Sequence, residues 1–231
     1  MHIQKITAPT AKDLNIPHVM AAGPAGQFSA IARCSGVVAS EFSYGKDEEI
    51  YGEGEPAEYL YQIVRGAVRT YKLLSDGRRQ IGAFHLPGDV FGLDPGTEHR
   101  LTAEAIVDTT VRLVPRRSLE KAAASNVHVA RNLWTLTASD LRHAEDHMLL
   151  LGRKTAMERV ATFLLEMDRR LAGAGMMALP MCRRDIGDYL GLTLETVSRA
   201  LSQLNDEGIL MFSSARHIAL RNRQRLSAME A

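Results

Sequence analysis

The segment from Cys182 to Leu204 constrains this chain more than any other part of it. Two helices that cross tightly need a small residue at their contact, a turn residue free to take positive φ, and apolar anchors on both inner faces. Gly187 and Gly191 meet the first two needs, and Ile186, Leu190, Val197 and Leu201 meet the third. The pattern predicts a helix-turn-helix. Thr193 has the side chain and position of an N-cap, so Leu194, Glu195 and Thr196 fall in the first turn of the second helix, followed by Ser198 and Arg199 on its exposed face. A recognition helix offers such residues to the major groove: a carboxylate can accept from cytosine N4, an arginine can grip guanine, and Leu194 or the Thr196 methyl can meet a thymine methyl. The competing reading is a helix-turn-helix that only packs inside a protein; the arginines around this one favour double-stranded DNA.

Downstream, Asn205-Asp206-Glu207-Gly208 closes the second helix, and two short apolar runs, Ile209 to Phe212 and His217 to Leu220, flank the polar turn Ser213-Ser214-Ala215-Arg216. This reads as a hairpin wing. Arg216 at its tip, with Thr193, Arg183 and Arg184, is expected to touch phosphates, which positions a protein without reading sequence. The overall charge of +1 hides a gradient: residues 1 to 115 carry 11 Lys and Arg against 14 Asp and Glu, whereas residues 152 to 231 carry 12 against 9. All but one of the latter 12 cations are Arg, whose planar fork suits phosphates and guanine edges.

Upstream, short apolar or alternating runs from about Val37 to Leu113 are interrupted by Gly45, Gly52, Gly54, Gly66, Gly77, Gly82, Gly88 and Gly92. Many short strands with frequent turn glycines predict an antiparallel β-roll. Past Pro115 the turn signals stop, and Ala130, Trp134, Thr137, Leu141, Ala144, Met148 and Leu151 recur at alternating intervals of four and three. That is the seam of a helix pairing with a second copy, and Gly152 ends it as a hinge. One amphipathic helix lying on its own domain is the alternative. The expected organisation is α+β: an arm over 1–28, a jelly-roll-like β-roll over 29–115, a dimerisation helix over 116–151 and a winged helix-turn-helix over 152–231.

Composition narrows the remaining choices. No run approaches the ~18 apolar residues of a membrane span, and Met1 to Gly26 lack a signal-like apolar stretch, so a cytoplasmic protein without membrane contact is expected. Two cysteines, Cys34 and Cys182, are too few for a disulfide framework or a four-thiolate zinc site.

The run from Gly191 to Leu201, followed by Leu204-Asn205-Asp206-Glu207-Gly208-Ile209, resembles the Crp/Fnr signature almost residue for residue, and the glycine pattern and long helix extend the resemblance over nearly the whole chain. Glu195, Ser198 and Arg199 are similar to the triplet of the Fnr and FixK branches, which implies a palindrome of TTGA half-sites. The cyclic-nucleotide branch carries Phe-Gly-Glu and an Arg-Ser pair. Here stand Phe91-Gly92-Leu93 and His99-Arg100-Leu101-Thr102, without the carboxylate for ribose or the guanidinium for phosphate. The iron-sulfur cluster of the oxygen-sensing branch needs four cysteines. Haem held by His85 or His99 has no supporting context, and His143 with His147 lacks a third metal ligand, so a polar face of the dimer helix accounts for that pair.

No cofactor is expected. The resemblance therefore narrows to FixK-type regulators: homodimeric activators of low-oxygen respiration and nitrogen-fixation genes that recruit RNA polymerase and are controlled by their own synthesis. Cys182, beside Arg183 and Arg184 at a helix start, is a candidate redox input, because cations and a helix N-terminus favour thiolate; an inert cysteine is the alternative. Cys34 has no assigned role. Two other readings stand: a family member controlled by an unidentified small ligand, and a cupin-like metal enzyme, which would need more His and Glu than His85 and His99 bring to residues 36 to 115. The expectation is that the chain is not an enzyme.

Overall fold

The computed structural model describes residues 39–171 and 176–229, so the arm over 1–28 and Cys34 lie outside the described residues. Eight antiparallel strands come first: β1 (Ser40–Tyr44), β2 (Glu49–Tyr51), β3 (Tyr59–Arg65), β4 (Val68–Leu73), β5 (Arg79–His85), β6 (Val90–Phe91), β7 (Thr102–Ala105) and β8 (Thr109–Pro115). They form two four-stranded sheets, ordered β1-β8-β3-β6 and β2-β7-β4-β5. Turns that demand left-handed backbone carry glycine: Gly77 at φ 83° between β4 and β5, and Gly88 at φ 96° before β6. Between the sheets Tyr51, Tyr61, Ile63, Val68, Phe91, Ala103 and Val111 are buried together.

Two helices follow where one was expected: α1 (Arg116–Ser125) and α2 (Val127–Arg153). Asn126 breaks the run at φ −136° and ψ 108°, and its side chain accepts from the His128 amide at 2.9 Å. An asparagine cap satisfies a helix-start donor that a continuous helix would have bonded internally, so the short polar side chain wins over propagation. At ~1.5 Å rise per residue the 27 residues of α2 span about 40 Å. One face, through Val129 and Leu136, closes over Leu60, Val90 and Val114 of the roll. The helix also runs through Gly152, which was expected to end it; the break falls at Lys154 and Thr155.

The C-terminal part contains α3 (Ala156–Leu171), β9 (Met176–Ala178), α4 (Arg183–Leu190), α5 (Leu194–Asp206), β10 (Leu210–Phe212), β11 (His217–Leu220) and α6 (Arg223–Ala228). Thr155 and Glu158 make a capping box at the start of α3: the Thr155 amide donates to the carboxylate at 2.7 Å. The core here is continuous with the roll, because Phe84 of β5 packs its ring 5.1 Å from Tyr189 of α4 and 6.2 Å from Phe163 of α3. Among the described residues no helix is long and apolar enough to cross a membrane.

Candidate nucleic-acid interface

The two helices of the motif are built as their residues require. Cys182 starts α4, with its amide donating to Asp185 Oδ2 at 3.1 Å. Gly191 ends the helix at φ 63°, the left-handed cap for which glycine has no steric penalty. At Gly187 the turn leading into α5 approaches α4 so closely that a Cβ would lie 2.7 Å from the Leu192 carbonyl oxygen. Thr193 caps α5, accepting from the Thr196 amide at 3.2 Å. Val197, Ala200, Leu201 and Leu204 are buried beneath it.

The opposite face of α5 is open. Leu194, Glu195 and Arg199 are exposed, and Thr196 and Ser198 are half-buried at its edge. Among the described residues neither Glu195 nor Arg199 has an ion-pair partner. Ser198, Arg199, Ser202 and Gln203 line a shallow groove whose far end turns acidic at Asp206 and Glu207. Glu207 is held by Arg225 at 2.9 Å, which limits that acidity.

The wing is a three-stranded sheet, β10-β11-β9; β9 was not expected. Its three residues are too short and too methionine-rich to signal a strand, and it forms by pairing with β11 in the register Met177 to Ile218. Arg216 in the turn is half-buried, with its carbonyl accepting from Leu179 at 2.8 Å. Arg184 is exposed, while the Arg183 guanidinium lies 5.5 Å over the Phe212 ring and so ties α4 to the wing.

The structure adds a neighbour at Cys182 and corrects one local expectation. The Cys182 thiol is exposed and donates to Asp185 Oδ2 at 3.1 Å. His143 and His147 do not lie on a polar outer face: both ring nitrogens of His147 and Nε2 of His143 are buried, and the His147 ring stacks on Tyr189 at 4.2 Å. Among the described residues no group of three or more His, Cys, Asp or Glu side chains is placed to hold a metal ion. In the roll, His85 bonds the Thr70 hydroxyl at 3.1 Å, and His99 stacks on Tyr51 at 3.5 Å and bonds Asp94 at 2.8 Å.

Along α2, Ala130, Trp134, Thr137, Leu141, Ala144 and Met148 are all exposed, with Trp134 at 76% and Met148 at 65%. Leu151 departs from the row: it is half-buried and packs toward Gly191 at the turn of the motif. Sequence reasoning missed Arg159, which donates to the carbonyls of Leu151 at 2.8 Å, Lys154 at 2.9 Å and Leu190 at 2.9 Å. It satisfies the open ends of α2 and α4 together. Only the capping box at Thr155 and Glu158 marked the helix that carries it.

Comparison with known proteins places these parts in one lineage. The cyclic nucleotide-binding domain family matches residues 41–126, and the Crp-like helix-turn-helix domain family matches residues 158–229. The chain is 43% identical to the nitrogen fixation regulation protein FixK of Azorhizobium caulinodans over 193 residues, covering 81% of this chain and 78% of that protein. It is 40% identical to FixK of Rhizobium meliloti over 187 residues, covering 81% and 85%. The structure of FixK2 from Bradyrhizobium japonicum superposes with a TM-score of 0.82 at 80% identity, covering 84% of this chain and 98% of that one. With its strands and its helix-turn-helix matched alike, the chain belongs to the Crp/Fnr family of transcription regulators, and FixK-type regulators are among its relatives.

Proposed function

We propose that this protein acts in the cytoplasm as a homodimeric transcription activator that binds a TTGA-type palindrome and recruits RNA polymerase. Its proposed targets are nitrogen-fixation genes, a reading supported by the names of its FixK relatives, and genes of low-oxygen respiration, which the family resemblance adds. The observation that carries the reading is the outer face of α5, where Glu195 and Arg199 stand exposed, with no ion-pair partner among the described residues, beside a capped N-terminus. Two copies pair along Ala130, Trp134, Thr137, Leu141, Ala144 and Met148, with Leu151 closing the row where it meets the motif. Each copy presents Leu194, Glu195, Thr196, Ser198 and Arg199 to base edges, while Thr193, Arg183, Arg184 and Arg216 grip the backbone. Selection from randomised duplexes with the full chain tests this: a TTGA palindrome is expected, and enrichment of no palindrome overturns both the dimer and the base-reading assignment.

The same reading includes a redox input at Cys182. Two molecules of hydrogen peroxide, each reduced to water, oxidise the exposed thiol through the sulfenic acid to a sulfinate, adding negative charge at the start of α4 beside Arg183 and Arg184 and weakening phosphate binding. Operator affinity before and after peroxide is compared for the protein and for Cys182→Ser. Equal loss in both overturns the role of the thiol.

A further inference from the structure

The β-roll holds the DNA-reading helices through a set of ion pairs that neither the motif nor the family match assigns. Arg79 of β5 donates through Nε to Asp188 Oδ2 at 2.9 Å and through Nη2 to Asp185 Oδ1 at 2.6 Å. Arg69 of β4 donates through Nη1 to the same Asp185 oxygen at 3.2 Å, and its Nη2 faces Asp47 and Glu104. Asp185 is only 2% exposed: the two arginines face its Oδ1, and the Cys182 amide donates to its Oδ2 at 3.1 Å. Beside them Gln80 Nε2 donates to the Tyr189 carbonyl at 3.2 Å, and on the far side Arg170 Nη2 of α3 donates to the Phe84 carbonyl at 2.8 Å.

Asp185, Asp188 and Tyr189 lie three and four residues apart and so share one face of α4. That face meets the roll, while α5 presents its own outer face elsewhere. The apolar part of the junction, Phe84 against Tyr189 and Phe163, holds the parts together but is not directional. A guanidinium fork fixes an angle as well as a distance. Because α4 and α5 are locked at Gly187, the angle of α4 on the roll is also the angle of α5 to the rest of its protomer.

We propose that Arg79 and Asp188, backed by Arg69 and Asp185, are positioning residues that set the angle of the reading helix and hence the half-site spacing the dimer accepts. The proposal rests on the reading of this protein as a dimer on a palindrome, whose two recognition helices must match one turn of DNA, ~34 Å. An ion pair between the two parts holds the binding-competent arrangement without a bound effector.

A charge-swap cycle on the full chain tests it, using Arg79→Asp, Asp188→Arg and the double variant. Affinity is measured for the selected palindrome, for duplexes with one base pair added or removed between half-sites, and for non-specific DNA. Each single swap is expected to lower operator affinity about tenfold and to flatten the preference among spacings, with both partly restored in the double swap, where the Asp188 pair is re-formed in reverse and Arg69 still faces Asp185. Asp188→Arg is the sharper arm: it adds positive charge to the DNA-binding part, so simple electrostatics predicts tighter binding, whereas loss of the positioning pair predicts weaker operator binding and a lower ratio to non-specific DNA. Operator affinity at or above wild type with the spacing preference intact overturns the proposal, as does a double swap no better than its singles. If a swapped variant does not fold, Arg79→Gln and Asp188→Asn complete the same cycle by charge removal; losses that simply add overturn the proposal, and a shared loss supports it. Wild-type protein that shows no palindrome preference overturns the functional reading instead, so the two failures are distinct.

Discussion

In the roll, Arg69 is 8% exposed and faces three carboxylates, and His99 is 3% exposed against Asp94 and Tyr51. On α5, Glu195 and Arg199 are exposed with no ion-pair partner among the described residues. Both regions are rich in polar side chains, but the first commits them to the fold and the second leaves them available. The difference follows from desolvation: a charge taken out of water must be paired, whereas one on a helix surface keeps its hydration until a partner with matching groups replaces it. Polar content therefore says little about where function lies, and the partner of each polar atom says much.

The contrast is sharpened first where the two faces of α5 can be cut separately. Leu201→Ala removes a side chain that is 2% exposed and should lower unfolding free energy by roughly 2 to 5 kcal/mol, read by denaturant titration. Acid acts next, on the inward-facing histidines. Burial pushes His147 down to about 4, with neighbouring His143 adding to the effect, and burial likewise pushes His85 down to about 4. The unfolded chain takes up these protons near the ordinary histidine value of 6.5, before the folded one does. Stability is thus fully present above 6.5 and falls as pH drops toward 4. Melting temperatures across that window should decline more for the wild type than for His147→Gln; equal declines would place the titrating groups elsewhere.

Arg199→Ala should leave the melting temperature unchanged and cost about 1 to 3 kcal/mol of operator binding, with relaxed preference at one base position. Arg216→Ala should instead weaken all sequences alike and lower the slope of affinity against salt by roughly one. A drop in stability for Arg199→Ala would break the contrast outright. The smallest effect is expected at the cap: Thr193→Ala should cost about 1 kcal/mol of stability, visible as a small shift in the denaturation midpoint.

Much of the helix-turn-helix was legible because its requirements are local. Gly187, Gly191 and Thr193 lie within seven residues, and each answers a demand of backbone geometry that near neighbours impose. The hairpin glycines of the roll were legible for the same reason. The exposed row along α2 was legible as a period, although Leu151 turned inward to meet the motif. The break at Asn126 was not, since a single asparagine is tolerated within helices and only its bond to the His128 amide reveals a cap. Strand β9 was hidden too: three residues carry no period, and only pairing with β11 makes them a strand.

From residue order alone, then, followed the antiparallel roll, the long helix with its exposed row and a DNA-reading motif with its exposed face, because steric turns, periodicity and caps act over a few residues. What the roll does for the reading helices depended on the tertiary structure. Arg79 and Asp188 are 109 residues apart, as Arg69 and Asp185 are 116, and nothing in either neighbourhood names the other. Their pairing and the inward turn of His147 exist only once the chain has packed, since Coulomb and hydrogen-bond interactions depend on distance in space.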